Sequence, residues 1–192
     1  MESLRVLIAE DEELTRQILR TRLEVLGYDV VAEASNGVEA VQLADAHQPA
    51  IAIMDIKMPE MDGIEAARQI LSHKPCALLF LTSFNEDELV EQAGETGAVA
   101  YLMKPFRKED LGPAIEIAYK RFQQIQSQSH EIDRLKETLE SRKLIERAKG
   151  ILMDRHQMSE EEAFRRIHFQ ARNQNRKMRE IAQSIITAAD LL

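Results

Sequence analysis

Five polar side chains in the first half of the chain stand just after short apolar runs and are of types that could do metal or phosphoryl chemistry. They are three carboxylates, a hydroxyl and an ammonium, in chain order Glu10, Asp11, Asp55, Thr82 and Lys104. A single acidic residue in such a position is usually solvated or caps a helix. Five suitable side chains after four different runs indicate a shared site.

The chemistry that suits this set is magnesium-dependent phosphoryl transfer. Three carboxylates held close together repel one another unless a divalent cation lies among them, and an all-oxygen ligand set favours Mg²⁺. Asp55 is then a competent nucleophile toward phosphorus and forms an acyl phosphate. Lys104 offers a point charge, and Thr82 a hydrogen bond, to the phosphoryl oxygens.

Five apolar runs predict the sheet that positions these side chains. They are Val6–Ala9, Val30–Ala32, Ile51–Met54, Leu78–Leu81 and Val99–Leu102. Runs that are apolar on both faces are typical of buried parallel strands, and the stretches between them have helical periodicity. We predict a doubly wound α/β domain of five strands alternating with five helices. Its site should lie outside the carboxyl ends of the strands, where the strand order switches.

The remainder of the chain has the composition of a helical region. All five prolines and six of the seven glycines precede residue 114, which leaves Gly150 alone after it. Apolar residues recur at every seventh position at Ile125, Ile132 and Leu139. Because the companion positions Ser129 and Lys136 are polar, the pattern predicts only a short coiled-coil linker over residues 121–141. A single solvated helix is the alternative.

Turn signals divide the last part of the chain, residues 142–192, into three helices. The long helix should turn near Arg155–Met158. Ser159 and Glu162 then have the spacing of a capping box, which starts a new helix. The Asn173–Asn175 segment is typical of a turn before the last helix. An all-α three-helix domain is predicted.

Net charge separates the two halves of the chain. The whole chain carries a formal charge of −8 with a pI near 5.2, which by itself argues against a nucleic-acid binder. Residues 1–119 hold 10 basic and 22 acidic side chains, net −12, whereas residues 120–192 hold 15 and 11, net +4. Residues 142–179 hold 11 basic and 5 acidic side chains. This patch could meet a phosphate backbone or be a solvated helix face.

Four segments of the first half of the chain contain the five polar side chains of the predicted site: Glu10–Glu12, Met54–Pro59 with Met61–Gly63, Leu81–Ser83 and Tyr101–Phe106. In order and spacing they resemble the receiver domain of two-component response regulators, a flavodoxin-like fold, and the resemblance covers about residues 3–122. Many members have two aspartates where this chain has Glu10 and Asp11. The resemblance implies a receiver domain over residues 1–120.

The same resemblance implies residue roles. Asp55 accepts a phosphoryl group from the phosphohistidine of a cognate histidine kinase, assisted by Thr82 and Lys104. Mg²⁺ is held by Glu10, Asp11, Asp55 and the backbone carbonyl of Lys57. Thr82 and Tyr101 rearrange on phosphorylation as the switch, and the Lys104–Pro105 peptide bond is cis.

Enzyme alternatives fit the sequence poorly. Phosphatases with an aspartate nucleophile resemble one another in an Asp-x-Asp pattern whose second acid is the general acid, and here that position is Lys57, which cannot serve. Ser129–Glu131 is similar to the phosphoacceptor box of histidine kinases, yet no glycine-rich ATP lid follows Gly112. We therefore expect a regulatory protein and not an enzyme.

Three segments of the tail stand out, namely Arg142–Met153, Ser159–Phe164 and Asn175–Met178. They resemble the ANTAR domain, a three-helix module that binds RNA in transcription antitermination regulators. The resemblance spans about residues 130–188, and Ala148–Gly150 is its most specific part. It implies binding to paired RNA hairpins in leader transcripts. By that similarity the RNA contacts are Lys149, Arg166, Arg172 and Lys177. The side chains expected in the core are Ile151, Leu152, Phe164, Ile167, Ile181 and Ile185.

These inferences together predict a cytoplasmic response regulator. No secretory signal or membrane span is visible in the sequence. Phosphorylation of Asp55 should promote homodimerisation through residues 121–141 and RNA binding by residues 142–192, giving antitermination. The alternative is a phosphorylation-controlled adaptor whose tail binds a protein and not RNA. The salt dependence of RNA affinity distinguishes the two.

Overall fold

The computed structural model describes residues 3–83 and 100–190. The chain divides into two compact units, Met1–Gln126 and Ser127–Leu192. The first unit holds the sheet and the second is helical.

Five parallel strands form the sheet of the first unit, in the order β2-β1-β3-β4-β5. Their bounds are β1 Arg5–Ala9, β2 Asp29–Ala34, β3 Ile51–Asp55, β4 Ala77–Thr82 and β5 Ala100–Met103. The chain steps outward from β1 to β2 and then crosses to β3 on the other side. The switch point therefore lies between β1 and β3, and the predicted flavodoxin-like doubly wound fold is confirmed.

Helices cover both faces of this sheet. They are α1 Glu13–Val25, α2 Gly37–His47, α3 Gly63–His73 and the start of α4, which spans Lys108–His156. The predicted helix between β4 and β5 falls on residues 84–99 and lies outside the described residues. Side chains alternate along the strands, so each strand contributes to two cores. One core lies between the sheet and helices α2 and α3 and contains Leu7, Ala52, Met54 and Phe80. The other lies between the sheet and helices α1 and α4 and contains Ile8, Ile53, Leu79 and Leu81.

The pairing register brings the carboxyl ends of the strands level with one another. Ala9 of β1 pairs with Met54 of β3, and Asp55 pairs with Leu81 of β4. Thr82 in turn pairs with Met103 of β5. The residues that end these strands or follow them directly must therefore share one edge of the sheet.

Three helices make up the second unit: the later part of α4, then α5 Glu160–Asn173 and α6 Met178–Asp190. The turns predicted near residues 155–158 and 173–175 are confirmed, and α5 begins with the predicted capping box. The Glu162 amide donates to Ser159 Oγ at 3.3 Å, and the Ser159 amide donates to Glu162 Oε2 at 2.8 Å. Within the described ranges, no helix has both the length and the apolar character needed to span a bilayer.

The core of the second unit corrects one expectation. Leu152, Ile167 and Ile181 are buried as expected, and Ile151 and Ile185 are partly buried. Phe164, however, is 45% exposed. The buried line of α5 is Ala163, Ile167 and Ala171, spaced four residues apart, and Phe164 lies about 100° away from it.

Apart from Phe122, which packs partly buried against the core of the first unit, the apolar residues of the linker stretch of α4 lie on the surface of the single chain. Ile132, Leu135 and Leu139 are 51%, 59% and 54% exposed. Helix α4 runs without a break through both predicted domain boundaries, at residues 120 and 141. Those boundaries and the coiled coil remain predictions.

One glycine packs directly against the end of β3. The Gly63 amide donates to the Ile56 carbonyl at 2.8 Å, and a Cβ at Gly63 would lie 2.1 Å from the Asp55 carbonyl oxygen. The contact is with backbone, which cannot move aside as a flexible side chain can. Gly63 thus lets α3 begin directly below the residue that ends β3.

We predict that Gly63→Ala destabilises the protein by about 1–3 kcal/mol, because the added methyl group overpacks a backbone contact. The matched control is Gly112→Ala in α4, where the nearest atom to a new Cβ is Leu26 Cδ1 at 4.0 Å. Alanine favours a helix over glycine by up to about 1 kcal/mol, so the control should be neutral or stabilising. Urea unfolding followed by circular dichroism measures both; equal stability of the two variants would contradict the assignment.

Candidate functional site

Three carboxylates meet at the carboxyl edge of the sheet, as predicted. Glu10 directly follows β1 and is 1% exposed, Asp55 ends β3 and is 8% exposed, and Asp11 is open to solvent. Each offers an oxygen, and these three atoms lie within 4.8 Å of one another. No other group of three metal-binding side chains occurs in residues 3–83 and 100–190.

Lys104 joins two of these carboxylates. It follows β5, and its Nζ donates to Glu10 Oε2 at 2.7 Å and to Asp55 Oδ2 at 2.5 Å. Its backbone amide donates to the Thr82 carbonyl at 2.8 Å, which holds the loop after β5 against the end of β4. The predicted cis bond between Lys104 and Pro105 is present.

Burial and hydrogen bonding shift the pKa values of Glu10 and Lys104. Burial raises the pKa of Glu10, opposed mainly by its hydrogen bond from Lys104. Burial by itself would lower the pKa of Lys104, but hydrogen bonds to Asp55 and Glu10 outweigh it, so the Lys104 pKa is raised. The ammonium is therefore charged at neutral pH.

The charges at this edge do not balance without a further cation. Three carboxylates against one ammonium leave a formal charge of −2 when all are ionised. The donors are all oxygen, and one of the carboxylates is exposed, which suits an ion that keeps several waters. The residues present fit Mg²⁺.

The other residues predicted for this site surround the carboxylates. Thr82 is buried at the end of β4, and its hydroxyl donates to the Ser83 carbonyl at 3.3 Å. The Lys57 amide donates to Asp55 Oδ1 at 3.3 Å, while the Lys57 side chain is exposed. The Tyr101 ring is half-buried and stacks on Phe80 with the centroids 6.5 Å apart. Thr82 and Lys57 lie at or just beyond the carboxyl ends of β4 and β3, whereas Tyr101 is the second residue of β5.

Two arginines of α1 support the site and were not foreseen. Arg16 Nη1 donates to the Glu10 carbonyl at 2.6 Å. Arg22 lies over the Phe106 ring at 5.6 Å and donates to the Phe106 carbonyl at 3.2 Å. These contacts fasten the loops after β1 and β5. Since the Arg22 contact joins residues 84 positions apart, no local pattern could have indicated it.

In the second unit, the predicted RNA contacts separate into two kinds. Lys149 is buried, and its Nζ donates to Glu146 at 2.9 Å and to Glu160 at 2.6 Å. These hydrogen bonds, the one to Glu160 foremost, raise the pKa of Lys149. The side chain thus ties α4 to the first turn of α5.

The remaining predicted contacts are open to solvent. Arg166, Arg172 and Lys177 are all exposed. Within the part of the chain that the structure describes, none of the three makes a salt bridge. Arg172 and Lys177 line one open groove together with Arg176. Their charges are available to an anionic partner.

Comparison with known proteins agrees with this division of the chain. Residues 6–116 match the response regulator receiver domain, and residues 133–186 match the ANTAR domain. The transcriptional regulatory protein PdtaR of Mycobacterium tuberculosis is 47% identical over 182 residues, which cover 95% of this chain and 89% of that protein. The chemotaxis protein CheY of Listeria monocytogenes is 37% identical over 118 residues, covering 61% of this chain and 99% of CheY.

Solved structures resemble the first unit. The signal receiver domain of a modulated diguanylate cyclase from Desulfovibrio desulfuricans has a TM-score of 0.60 at 35% identity, covering 64% of this chain and 98% of that one. A response regulator receiver domain protein from Clostridium thermocellum has a TM-score of 0.59 at 29% identity, with coverage of 64% and 98%. The chain belongs to the two-component response regulators and carries an N-terminal receiver domain and a C-terminal ANTAR domain.

Proposed function

We propose that phosphorylation of Asp55 by a histidine kinase switches this protein into an RNA-binding dimer that promotes transcription antitermination in the cytoplasm. The observation that carries the proposal is the group of carboxylates around Lys104 at the sheet edge of a chain that ends in an ANTAR domain. The similarity to a transcriptional regulatory protein over nearly the whole chain supports it.

The receiver domain supplies the phosphoacceptor. One carboxylate oxygen of Asp55 attacks the phosphorus of the phosphohistidine, the P–N bond breaks, and its electron pair returns to the imidazole nitrogen. Lys104, already within 2.5 Å of Asp55 Oδ2, then neutralises a phosphoryl oxygen. The residues that hold Mg²⁺ are Glu10, Asp11, Asp55 and the backbone carbonyl of Lys57. When bound, Mg²⁺ supplies further neutralisation of the phosphoryl oxygens.

Two residues then carry the signal away from Asp55. The Thr82 hydroxyl donates to the Ser83 carbonyl at 3.3 Å, and a phosphoryl oxygen is a stronger acceptor that would draw it away. Tyr101 lies on β5, which pairs with β4, and its half-buried ring stacks on Phe80, two residues before Thr82 on β4. A shift of Thr82 therefore changes the space available to the Tyr101 ring. We propose that these two side chains form the switch.

The linker stretch of α4, residues 121–141, is the proposed dimer contact. Ile132, Leu135 and Leu139 are all more than half exposed, and they lie on one side of the helix at spacings of three and four. The partner with a matching apolar stripe is a second copy of the same helix. Pairing presents two ANTAR domains together and raises their effective concentration at paired RNA hairpins.

The RNA surface that we propose is formed by Arg166, Arg172 and Lys177. Lys149 was predicted as a fourth contact from the resemblance, and in the structure its ammonium is occupied by Glu146 and Glu160. We propose that Lys149 supports the surface by holding α5 against α4. The two carboxylate partners, Glu146 and Glu160, are well exposed, so in these ion pairs only the Lys149 side chain is buried.

Asp55→Asn should abolish phosphorylation, because the amide has no nucleophilic carboxylate oxygen, and should leave RNA affinity at the level of the unphosphorylated protein. Transfer of labelled phosphate from a kinase and RNA gel shifts measure the two effects. The matched control is Asp45→Asn on the exposed surface of α2, which should behave as wild type. Phosphorylation of the Asp55→Asn protein with full RNA affinity would refute the switch.

The salt dependence of RNA binding should report the proposed surface. Each of Arg166→Gln, Arg172→Gln and Lys177→Gln should reduce the slope of log affinity against log salt by about 1, since each removes one phosphate contact. Lys149→Gln should instead lower the melting temperature with a smaller change in slope, because it breaks two ion pairs inside the domain. Absence of RNA binding by the phosphorylated wild-type protein at any salt concentration would favour the protein-binding adaptor.

A further inference from the structure

A large aromatic side chain lies unprotected on the solvent face of α5. Phe169 is 63% exposed, the largest exposed fraction among the large hydrophobic side chains that the structure describes beyond Gln126. A solitary exposed apolar residue is ordinary on protein surfaces. The surroundings of Phe169 are not ordinary, because arginines lie one helical turn away on both sides, Arg165 and Arg166 before it and Arg172 after it.

Phe169 lines an open groove of about 590 Å³ between the end of α4 and α5. The turn residues Gln157 and Met158 line it with Arg165 and Arg166. Gln157 has a positive φ of 51°, which ends α4 sharply and leaves this space beside α5. The groove therefore combines one aromatic ring, one thioether and the His156 imidazole with two guanidinium groups. Its one carboxylate is Glu162, whose Oε2 accepts hydrogen bonds from the Ser159 amide and hydroxyl, both at 2.8 Å.

Beyond Glu162, the charges along this part of the chain are of a single sign. Residues 163–179 contain six basic side chains and no acidic one. Arg165 is paired with Glu161 at 2.5 Å, but Arg166 makes no ion pair within the described part of the chain. An acidic ligand can thus approach Arg166 without breaking an ion pair.

We propose that Phe169 is a stacking platform for an unpaired base in the loop of an RNA hairpin, and that Arg166 contacts a phosphate beside that base. The inference rests on the proposed RNA binding and names the part of the RNA that this groove takes. A base offers an aromatic face for the ring and an adjoining phosphate for the guanidinium group. Bases inside a duplex are stacked on one another and cannot reach the Phe169 ring. The ring therefore selects bases of a single-stranded loop.

A protein partner fits the same groove less well. Its apolar lining amounts to Phe169 and Met158, whereas a protein interface is centred on a larger apolar patch with few charges. Phe164, the other exposed phenylalanine of α5, stacks on His168 with the centroids 6.3 Å apart, so one face of that ring is already covered. Phe164 is not among the residues that line the groove, which makes it a matched control.

The test uses the phosphorylated full-length protein and a pool of RNA hairpins with one constant stem and a randomised loop, with the blunt duplex of the same stem for comparison. Phe169→Leu should weaken binding to the hairpins selected by wild type by about 5- to 150-fold, the range for loss of one base–aromatic stack. It should leave the salt slope and the duplex affinity unchanged, because no phosphate contact is lost. Phe169→Tyr, which keeps the ring, should retain most of the affinity, and Phe164→Leu should bind as wild type.

Different failures point to different errors. If wild-type protein binds no hairpin of the pool, the proposed RNA function itself is wrong. If wild type binds but Phe169→Leu matches it, or if Phe164→Leu loses as much affinity, RNA binding stands and the stacking platform is wrong. If Phe169→Leu instead abolishes dimer formation and leaves RNA affinity intact, the groove is a protein contact and the proposal is overturned.

Discussion

Electrostatic repulsion at one edge of the sheet is the constraint around which the receiver domain is built. Three carboxylate oxygens lie within 4.8 Å of one another, and Glu10 and Asp55 are removed from water. Carboxylates in that position are costly unless cations and hydrogen bonds surround them. Lys104 supplies one cation from the chain itself. The remaining negative charge makes the same edge attractive to a divalent cation such as Mg²⁺.

The scaffold holds these charges in place through contacts that are not themselves part of the chemistry. The strands are apolar on both faces and are packed between helices, so their ends cannot separate. Gly63 lets α3 start against the Asp55 backbone. Arg16 and Arg22 of α1 bond to carbonyls of the loops that carry Glu10 and Lys104. In the switch that we propose, a phosphoryl group on Asp55 meets this fixed arrangement and acts on Thr82 and Tyr101.

In the ANTAR domain, ion pairing distinguishes the basic side chains that support the fold from those that a ligand can reach. Lys149 is buried with two carboxylate partners, so its charge is used inside the domain. Arg166, Arg172 and Lys177 are exposed, and in the described residues they have no acidic partner. Charge that is satisfied within the fold stabilises it, and charge that is not can serve a ligand. The receiver carries a net charge of −12 and the tail one of +4. The whole-chain charge of −8 therefore gives no indication of these exposed basic side chains.

The amino-acid sequence by itself determined the local structure and the identity of the receiver site. Apolar runs predicted the strands, and the carboxyl ends of parallel strands must meet, so the order of residues along the chain was enough to place Glu10, Asp55 and Lys104 together. Ser159 and Glu162 predicted the start of α5 because a capping box involves only neighbouring residues. Tertiary structure alone decided the burial of Lys149, the exposure of Phe164 and the contact of Arg22 with Phe106. Each depends on how a helix is rotated against its neighbours, and a rotation of one residue, about 100°, turns a core position toward solvent.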